Sequence, residues 1–418
     1  MGKTALALKL AQQLEPRYPD AQFYLDLKGV SPQPLTAVAA MAHVIRGWHP
    51  EAKLPEDEAQ LASLFQSVLH QKKVLLLMDN ARDAAQVRLL VPPSGSLLLV
   101  TSRFHFVLPG LVSRDLDLLP PAKACELLLK IAPRIDGQAE SIAKWCGYLP
   151  IALRAAGTAL AETLNLAPTD YARRLAAARR RIELTDPTRP AQSASVEASL
   201  GLSYELLAPE LQRCFRALAV FPQTFDAAAV AALWSVAQDL AEEVLGKLVK
   251  CSLVDFNPET SRYRLHDLIR ALAEARLAPK ERELAQKLHA EHYLAVARHA
   301  DDLYLQGGDG VKLGLALFDR ESANISAGQA WAAAWAERDD AAAKLCSRYP
   351  DAGRYCVDLR LHPREQIRWF EAALAGARRL MDRTSRAGTS ATSVLLTGLF
   401  RRDAPCHRVP RAGAGRFP

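Results

Sequence analysis

Along the first 120 residues the apolar positions alternate between two rhythms. Residues 5–14 are spaced for a helix, and "AQFYLDL" (21–27) is a short aromatic and branched run closed by Lys28 and Gly29. Helical spacing returns over 34–46 and 58–70. Two uninterrupted apolar runs follow, "KVLLLMDN" and "SLLLVTSR", the second entered through Pro92-Pro93-Ser94-Gly95. A shorter run, "RDLDLLP", ends at Pro120 and reads as a further strand. Buried apolar strands separated by helices predict a parallel α/β sheet.

Beyond residue 121 the strand rhythm nearly vanishes. Helical spacing covers 122–132, 139–146, 150–164 and 169–184, and the proline- and polar-rich "TDPTRPAQSAS" reads as a linker. From residue 196 a set of helices ends in two short strand-like pieces, "SLVDF" and "RYRL", joined by Asn257-Pro258-Glu259-Thr260. Helices followed by a hairpin are the outline of a winged-helix domain. Residues 277–380 are helical again, rich in alanine and aromatics. From Asp382 the helical period is gone, and the composition suits a disordered tail. A departure from the reading frame near Met381 is the preferred reading, because a well-patterned helix stops there without a cap. The expected organisation is an α/β P-loop domain over 1–120 (parallel sheet, first strand missing), a small helical domain over 121–190, a winged-helix domain over 191–278, an all-α repeat-like region over 279–381, and the tail over 382–418.

Composition narrows the function classes. At 418 residues, half of them apolar, the chain can bury several cores. Its seven cysteines lack metal-ligand spacing, which fits reduced thiols rather than a disulfide framework or a zinc site. No stretch has the apolar length of a membrane span and the N-terminus is no signal peptide, so a cytoplasmic protein is expected. The net charge of +7 invites a nucleic-acid reading, but seven arginines against two aspartates in residues 382–418 supply most of it. The body is nearly neutral and offers no strongly basic face.

Five short segments carry candidate chemistry. Gly2-Lys3-Thr4 matches the end of the G-x-x-x-x-G-K-[ST] phosphate loop and stands before a helix. In such a loop backbone N–H groups and a helix N-terminus face the phosphates, the lysine reaches the outer ones, and Ser/Thr holds magnesium. "VLLLMD" ends a buried strand in Asp79, placed for an acid near that metal. Asn80 stands where many such ATPases carry a second acid, and an amide cannot take a proton from the attacking water. Slow hydrolysis at most is expected. "LLLVTSR" ends in Arg103 at the carboxyl edge where doubly wound sheets bind ligands, and an arginine there can sense a terminal phosphate. "CGYLPIAL" places Gly147 and Pro150 in a rigid turn before a helix, and a proline ring can lie against an adenine face. "RLHDLIRALAEARL" puts His266 and Asp267 where the hairpin returns to a helix. Each has an ordinary structural explanation alone, as a strand end, a helix start or an N-cap. Together, in this order, they do not.

With "FYLDLKG", "LLLMDNARDAAQVRLL", "SLGLSYELL", "ALAVFP" and "YRLHDLIR" added, the chain resembles the NB-ARC group of STAND-type signal-transduction ATPases. The bacterial members followed by tetratricopeptide-type repeats are the nearest in pattern, over roughly residues 1–380. The resemblance implies a nucleotide switch in which bound ADP holds a closed state and exchange for ATP opens it. It implies Gly2, Lys3 and Thr4 as phosphate and magnesium contacts, Asp79 as the acid near Mg²⁺, and Arg103 as phosphate sensor. Gly147 and Pro150 fall on the adenine side, and His266 contacts the ADP phosphate. It also implies protein partners at the helical C-terminal region and nucleotide-dependent self-assembly, with no membrane role.

Three departures accompany it: the strand and glycine-rich start of the loop are absent before Met1, no effector domain precedes the module, and the tail replaces further repeats. Met1 thus reads as an internal methionine of a longer protein's loop. Losing about three or four loop donors at ~1.5–3 kcal/mol each would weaken nucleotide binding by several powers of ten. The neighbours of the missing strand are expected to stand unpaired. Two other readings are an interaction scaffold that no longer binds nucleotide, and a winged-helix DNA-binding regulator. The second is thinly supported, since "LGKLVKCSLV" carries only Lys247 and Lys250.

Overall fold

The computed structural model describes residues 2–30, 34–186, 188 and 190–386. Three strands, β1 (Ala21–Asp26), β2 (Val74–Ala81) and β3 (Leu97–Ser102), form a parallel sheet in that order. The central β2 is buried at every position except Asn80, as its unbroken apolar run requires. Four helices flank the sheet: α1 (Lys3–Leu14), α2 (Ala37–Arg46), α3 (Glu58–Leu69) and α4 (Ala84–Arg88). The last three begin at side-chain caps, where Thr36, Asp57 and Asp83 accept from the backbone N–H of Ala39, Gln60 and Gln86. α2 and α3 bury Met41, Val44, Ile45, Leu61, Phe65 and Leu69 against the sheet. α1 buries none of its residues.

Two expectations fail here. β2 and β3 do not stand apart around an empty position: they pair directly, Leu75 opposite Leu97 through Met78 opposite Val100. A shared ladder satisfies backbone groups that separated strands would leave orphaned. "RDLDLLP" forms no strand. Its Leu116 and Leu118 are exposed, and Leu119 N–H donates to Tyr148 O at 3.2 Å rather than to the sheet.

The rest of the described chain is almost wholly helical. α5 (Pro121–Ile131), α6 (Ala139–Trp145), α7 (Pro150–Glu162), α8 (Pro168–Thr185), α9 (Ala191–Glu205), α10 (Pro209–Ala217), α11 (Ala227–Trp234) and α12 (Gln238–Lys250) lead into an antiparallel hairpin. The hairpin strands are β4 (Asp255–Asn257) and β5 (Arg262–Arg264). Then follow α13 (Asp267–Arg276), α14 (Pro279–Leu305), α15 (Asp309–Trp335), α16 (Asp340–Ala352), α17 (Arg354–Arg360) and α18 (Pro363–Arg386). One apolar core runs through these helices from Ala124 to Trp369.

The linker reading of "TDPTRPAQSAS" needs correction, because its last five residues are the start of α9 and Ser195 is buried. Serines at 195, 199 and 203, four apart, turn their hydroxyls onto backbone carbonyls. Ser199 Oγ donates to Ala152 O at 2.8 Å, Ser203 Oγ to Ser199 O at 3.0 Å and Ser195 Oγ to Ala191 O at 3.0 Å. Small side chains with satisfied hydroxyls let α9 lie close to α7. The helix expected to stop near Met381 continues to Arg386. The remainder of the tail, with the frame reading attached to it, lies outside the described residues. Among the described residues no helix is long and apolar enough to cross a membrane.

Candidate functional site

The carboxyl edge of the sheet is built around Asp79, which is 4% exposed. The β2–β3 register shifts between Met78 and Ala81, and Asn80 takes a left-handed backbone with φ 57°. Gly29 makes that bend possible. Its N–H donates to Asn80 O at 2.7 Å, and a Cβ there would lie 2.4 Å from both Asn80 O and Arg82 N. The Asp79 carboxylate accepts from Thr4 Oγ1 at 2.8 and 3.1 Å, from Tyr24 OH at 3.2 Å, and from Thr101 Oγ1. Thr101 Oγ1 itself accepts from Asn80 N–H at 2.9 Å, which ties the β3 end to the bend. Burial, reinforced by the charge of Asp79, pushes the Tyr24 phenol far above its ordinary range, so it stays a donor.

Gly2 precedes α1 with φ 88°, a left-handed conformation that glycine adopts without strain. Among the described residues no side chain caps α1 and no acid sits in its first turn, so its first N–H groups have no side-chain acceptor there. A Cβ on Gly2 would lie 3.9 Å from Pro150 Cγ, which brings the start of α7 against the start of α1. Gly147 takes φ 62°, and a Cβ there would lie 3.0 Å from Ser195 Oγ. Packing of α9 therefore explains that glycine. Lys3 is half-buried and makes no hydrogen bond or ion pair among the described residues.

The far wall comes from the hairpin and α13. Arg103 Nη2 pairs with Asp267 Oδ2 at 2.7 Å, the two side chains being 42% and 36% exposed. His266 caps α13 by accepting Leu268 N–H on Nδ1 at 3.3 Å, and its Nε2 has no partner among the described residues. Burial pushes the His266 pKa below its ordinary value, so the ring is neutral near pH 7. Arg264 Nη1 donates to Tyr24 OH at 3.0 Å. The structure thus gathers Thr4, Asp79, Arg103 and His266 at one edge and sets Gly2 against Pro150.

Tyr24, Thr101 and Arg264 join the site without having been singled out for it. Thr101 stood in the strand-end triplet Thr101-Ser102-Arg103. For Tyr24 the available signal was its place two residues before Asp26, which the register sets opposite Asp79.

A magnesium ion fits this donor set. Thr4 and Asp79 offer hard oxygen ligands within 3.1 Å of each other. Among the described residues no three His, Cys, Asp or Glu side chains could hold a metal alone. A cation here would complete its shell with water and ligand phosphate, as Mg²⁺ characteristically does.

No family model matches the chain. It is 36% identical over 315 residues to the regulatory protein AfsR of Streptomyces coelicolor, covering 71% of this chain and 31% of that one. It is 24% identical over 259 residues to a probable disease resistance protein of Arabidopsis thaliana, covering 54% and 29% respectively. The chain thus spans about a third of the length of the curated relatives it matches. A crystal structure of a STAND protein with a tetratricopeptide repeat sensor, from Pyrococcus horikoshii, superposes with a TM-score of 0.46 at 14% identity, over 92% of this chain and 60% of that one. Similarity to both a bacterial regulator and a plant disease resistance protein bears out the resemblance of this chain to the NB-ARC group of STAND signal-transduction proteins.

Proposed function

We propose that the chain is an ADP/ATP-binding switch of a signalling or regulatory protein, with slow ATP hydrolysis at most. The observation that carries this reading is the convergence of residues 4, 79, 103 and 266 beside the uncapped start of α1. In it the α1 amides and Lys3 hold phosphate, Thr4 and Asp79 hold Mg²⁺, and Pro150 borders the base. Mg²⁺, when bound there, would supply charge neutralisation for the phosphates. Arg103 at the end of β3 and the neutral His266 ring at the start of α13 are taken as the residues that meet the nucleotide phosphates. Residues 1–120, 121–190, 191–278 and 279–381 are taken as the α/β, small helical, winged-helix and repeat-like units. Protein partners at the last unit and nucleotide-dependent self-assembly complete the reading.

Asn80 supports slow turnover, since its amide cannot serve as a general base. A DNA-reading role finds little support: Lys247 on α12 is spent on Glu243 at 2.7 Å. The test is ADP affinity with and without Mg²⁺ in the parent and in Asp79→Asn. The parent binds more tightly with Mg²⁺ and the variant loses that difference. An Asp79→Asn protein with an unchanged Mg²⁺ response would refute the assignment.

A further inference from the structure

Strand β5 carries two arginines two residues apart, and each is spent on a different part of the molecule. Arg262 is buried, as are Glu321 and Asn324 of α15. Its Nη1 and Nη2 reach both carboxylate oxygens of Glu321, the second at 3.0 Å. Its Nε donates to Thr224 Oγ1 at 2.9 Å and Nη2 to Thr224 O at 2.8 Å. Asn324 Nδ2 donates to Glu321 Oε2 and to Thr224 O, both at 3.0 Å. A buried ion pair of this kind is costly to break from one side, because the remaining charge is left unpaired in a low-dielectric interior. β5 and α15 are therefore held to one another.

At the other end of β5, Arg264 Nη1 donates to Tyr24 OH at 3.0 Å, and Tyr24 OH donates to Asp79 Oδ2 at 3.2 Å. An unbroken series of polar contacts runs from Glu321 through Arg262, the β5 backbone, Arg264 and Tyr24 to Asp79. Thr4 and Thr101 hold the same carboxylate from the α1 and β3 sides.

We infer that β5 is a positioning strand: through Arg264 and Tyr24 it sets the Asp79 carboxylate according to where α15 holds Arg262. Tyr24 and Arg264 are positioning residues, and displacement of α15 changes how well Asp79 serves a cation. The affinity readout of this inference rests on the nucleotide reading above; its exchange readout does not.

The experiment uses the full chain with Tyr24→Phe, Arg264→Gln, Glu321→Gln and the Arg264→Gln/Glu321→Gln double variant. Each single change is expected to lower the Mg²⁺-dependent part of ADP affinity, the ratio of affinity with Mg²⁺ to affinity in chelator, by about fivefold or more. The double variant should lose no more than Arg264→Gln alone, because one cut already severs the series. Additive losses, or a Glu321→Gln protein with the parent's Mg²⁺ response, would overturn the inference. If the parent binds no ADP at all, the nucleotide reading fails, and amide exchange over residues 76–82 decides instead. Arg264→Gln and Glu321→Gln should both speed exchange there while leaving α8 as in the parent; unchanged exchange over 76–82 overturns the inference. Should Glu321→Gln unfold, Thr224→Val, which removes one acceptor from Arg262 at similar volume, takes its place with the same expected result.

Discussion

The α/β region and the helical body are held together by different physics. The helical body shares one apolar core from residue 124 to 369, spanning the helices on both sides of the hairpin. The α/β region keeps a separate, smaller cluster between Leu25 and Leu108. Between the two run polar contacts. Arg46 Nη2 donates to Leu359 O at 3.0 Å and Arg360 Nη2 to Pro50 O at 2.7 Å. The Arg103–Asp267 pair and the Arg264–Tyr24 bond lie nearer the site. Burial of apolar side chains is worth ~1.5–3 kcal/mol apiece, whereas a half-exposed ion pair is worth roughly 0–1 kcal/mol. The contrast is between a helical body joined through one apolar core and an α/β region joined to that body by polar contacts.

The largest effect should come from opening the helical core. Phe225 is fully buried, with its ring centroid 4.3 Å from that of Phe221. Phe225→Ala should cost about 3–5 kcal/mol in chemical denaturation. Leu6→Ala on α1, where the side chain is 53% exposed, should change stability by no more than about 0.5 kcal/mol. Comparable losses from the two would erase the distinction.

Acid should act on the same core. Burial, with a smaller push from the His292 charge, lowers the His289 pKa to about 3, and its Nε2 has no hydrogen-bond partner among the described residues. The unfolded chain binds that proton near pH 6.5 while the folded chain does not. Its contribution to stability is therefore complete above about pH 6.5 and is lost as the pH falls toward about 3. Denaturation midpoints across that window should fall for the parent and fall less for His289→Gln; parallel curves would exclude His289 as the cause.

A smaller effect than that of Phe225→Ala should be at the polar latch between the two regions. Arg360 is almost fully buried, donates from Nε to Asp319 at 2.7 Å and reaches across to Pro50. Arg360→Gln should cost about 1–3 kcal/mol, appearing mainly as faster amide exchange over residues 47–52 and α2 rather than in α14. Equal acceleration in both would mean that the latch and the core are one cooperative unit.

Much of this organisation was legible in the chain. β2 and β3 stand where uninterrupted apolar runs placed them, because a strand buried on both faces leaves a signal that needs no partner to read. The hairpin at Asn257-Pro258-Glu259-Thr260 was equally plain, since its turn residues mark it. The first turn of α9 was not legible, because Ser193 and Ser195 look like linker residues until the helix is seen to pack beside α7. The absence of a strand at "RDLDLLP" was also hidden, since strand pairing depends on a neighbour's edge being available. At the site, Thr4, Asp79, Arg103 and His266 carried local motif signatures. Tyr24 and Arg264 did not, because each matters only through a partner far away in sequence, 55 and 240 residues off respectively.

The central claim, that this chain binds adenine nucleotide through the start of α1 and the Asp79 edge, is tested most directly by titrating ADP into the purified 418-residue protein, up to millimolar concentration, with Mg²⁺ present and a Lys3→Ala variant alongside. The account predicts saturable binding by the parent and a loss of affinity in the variant. No saturable binding by the parent, or equal binding by both, would contradict it.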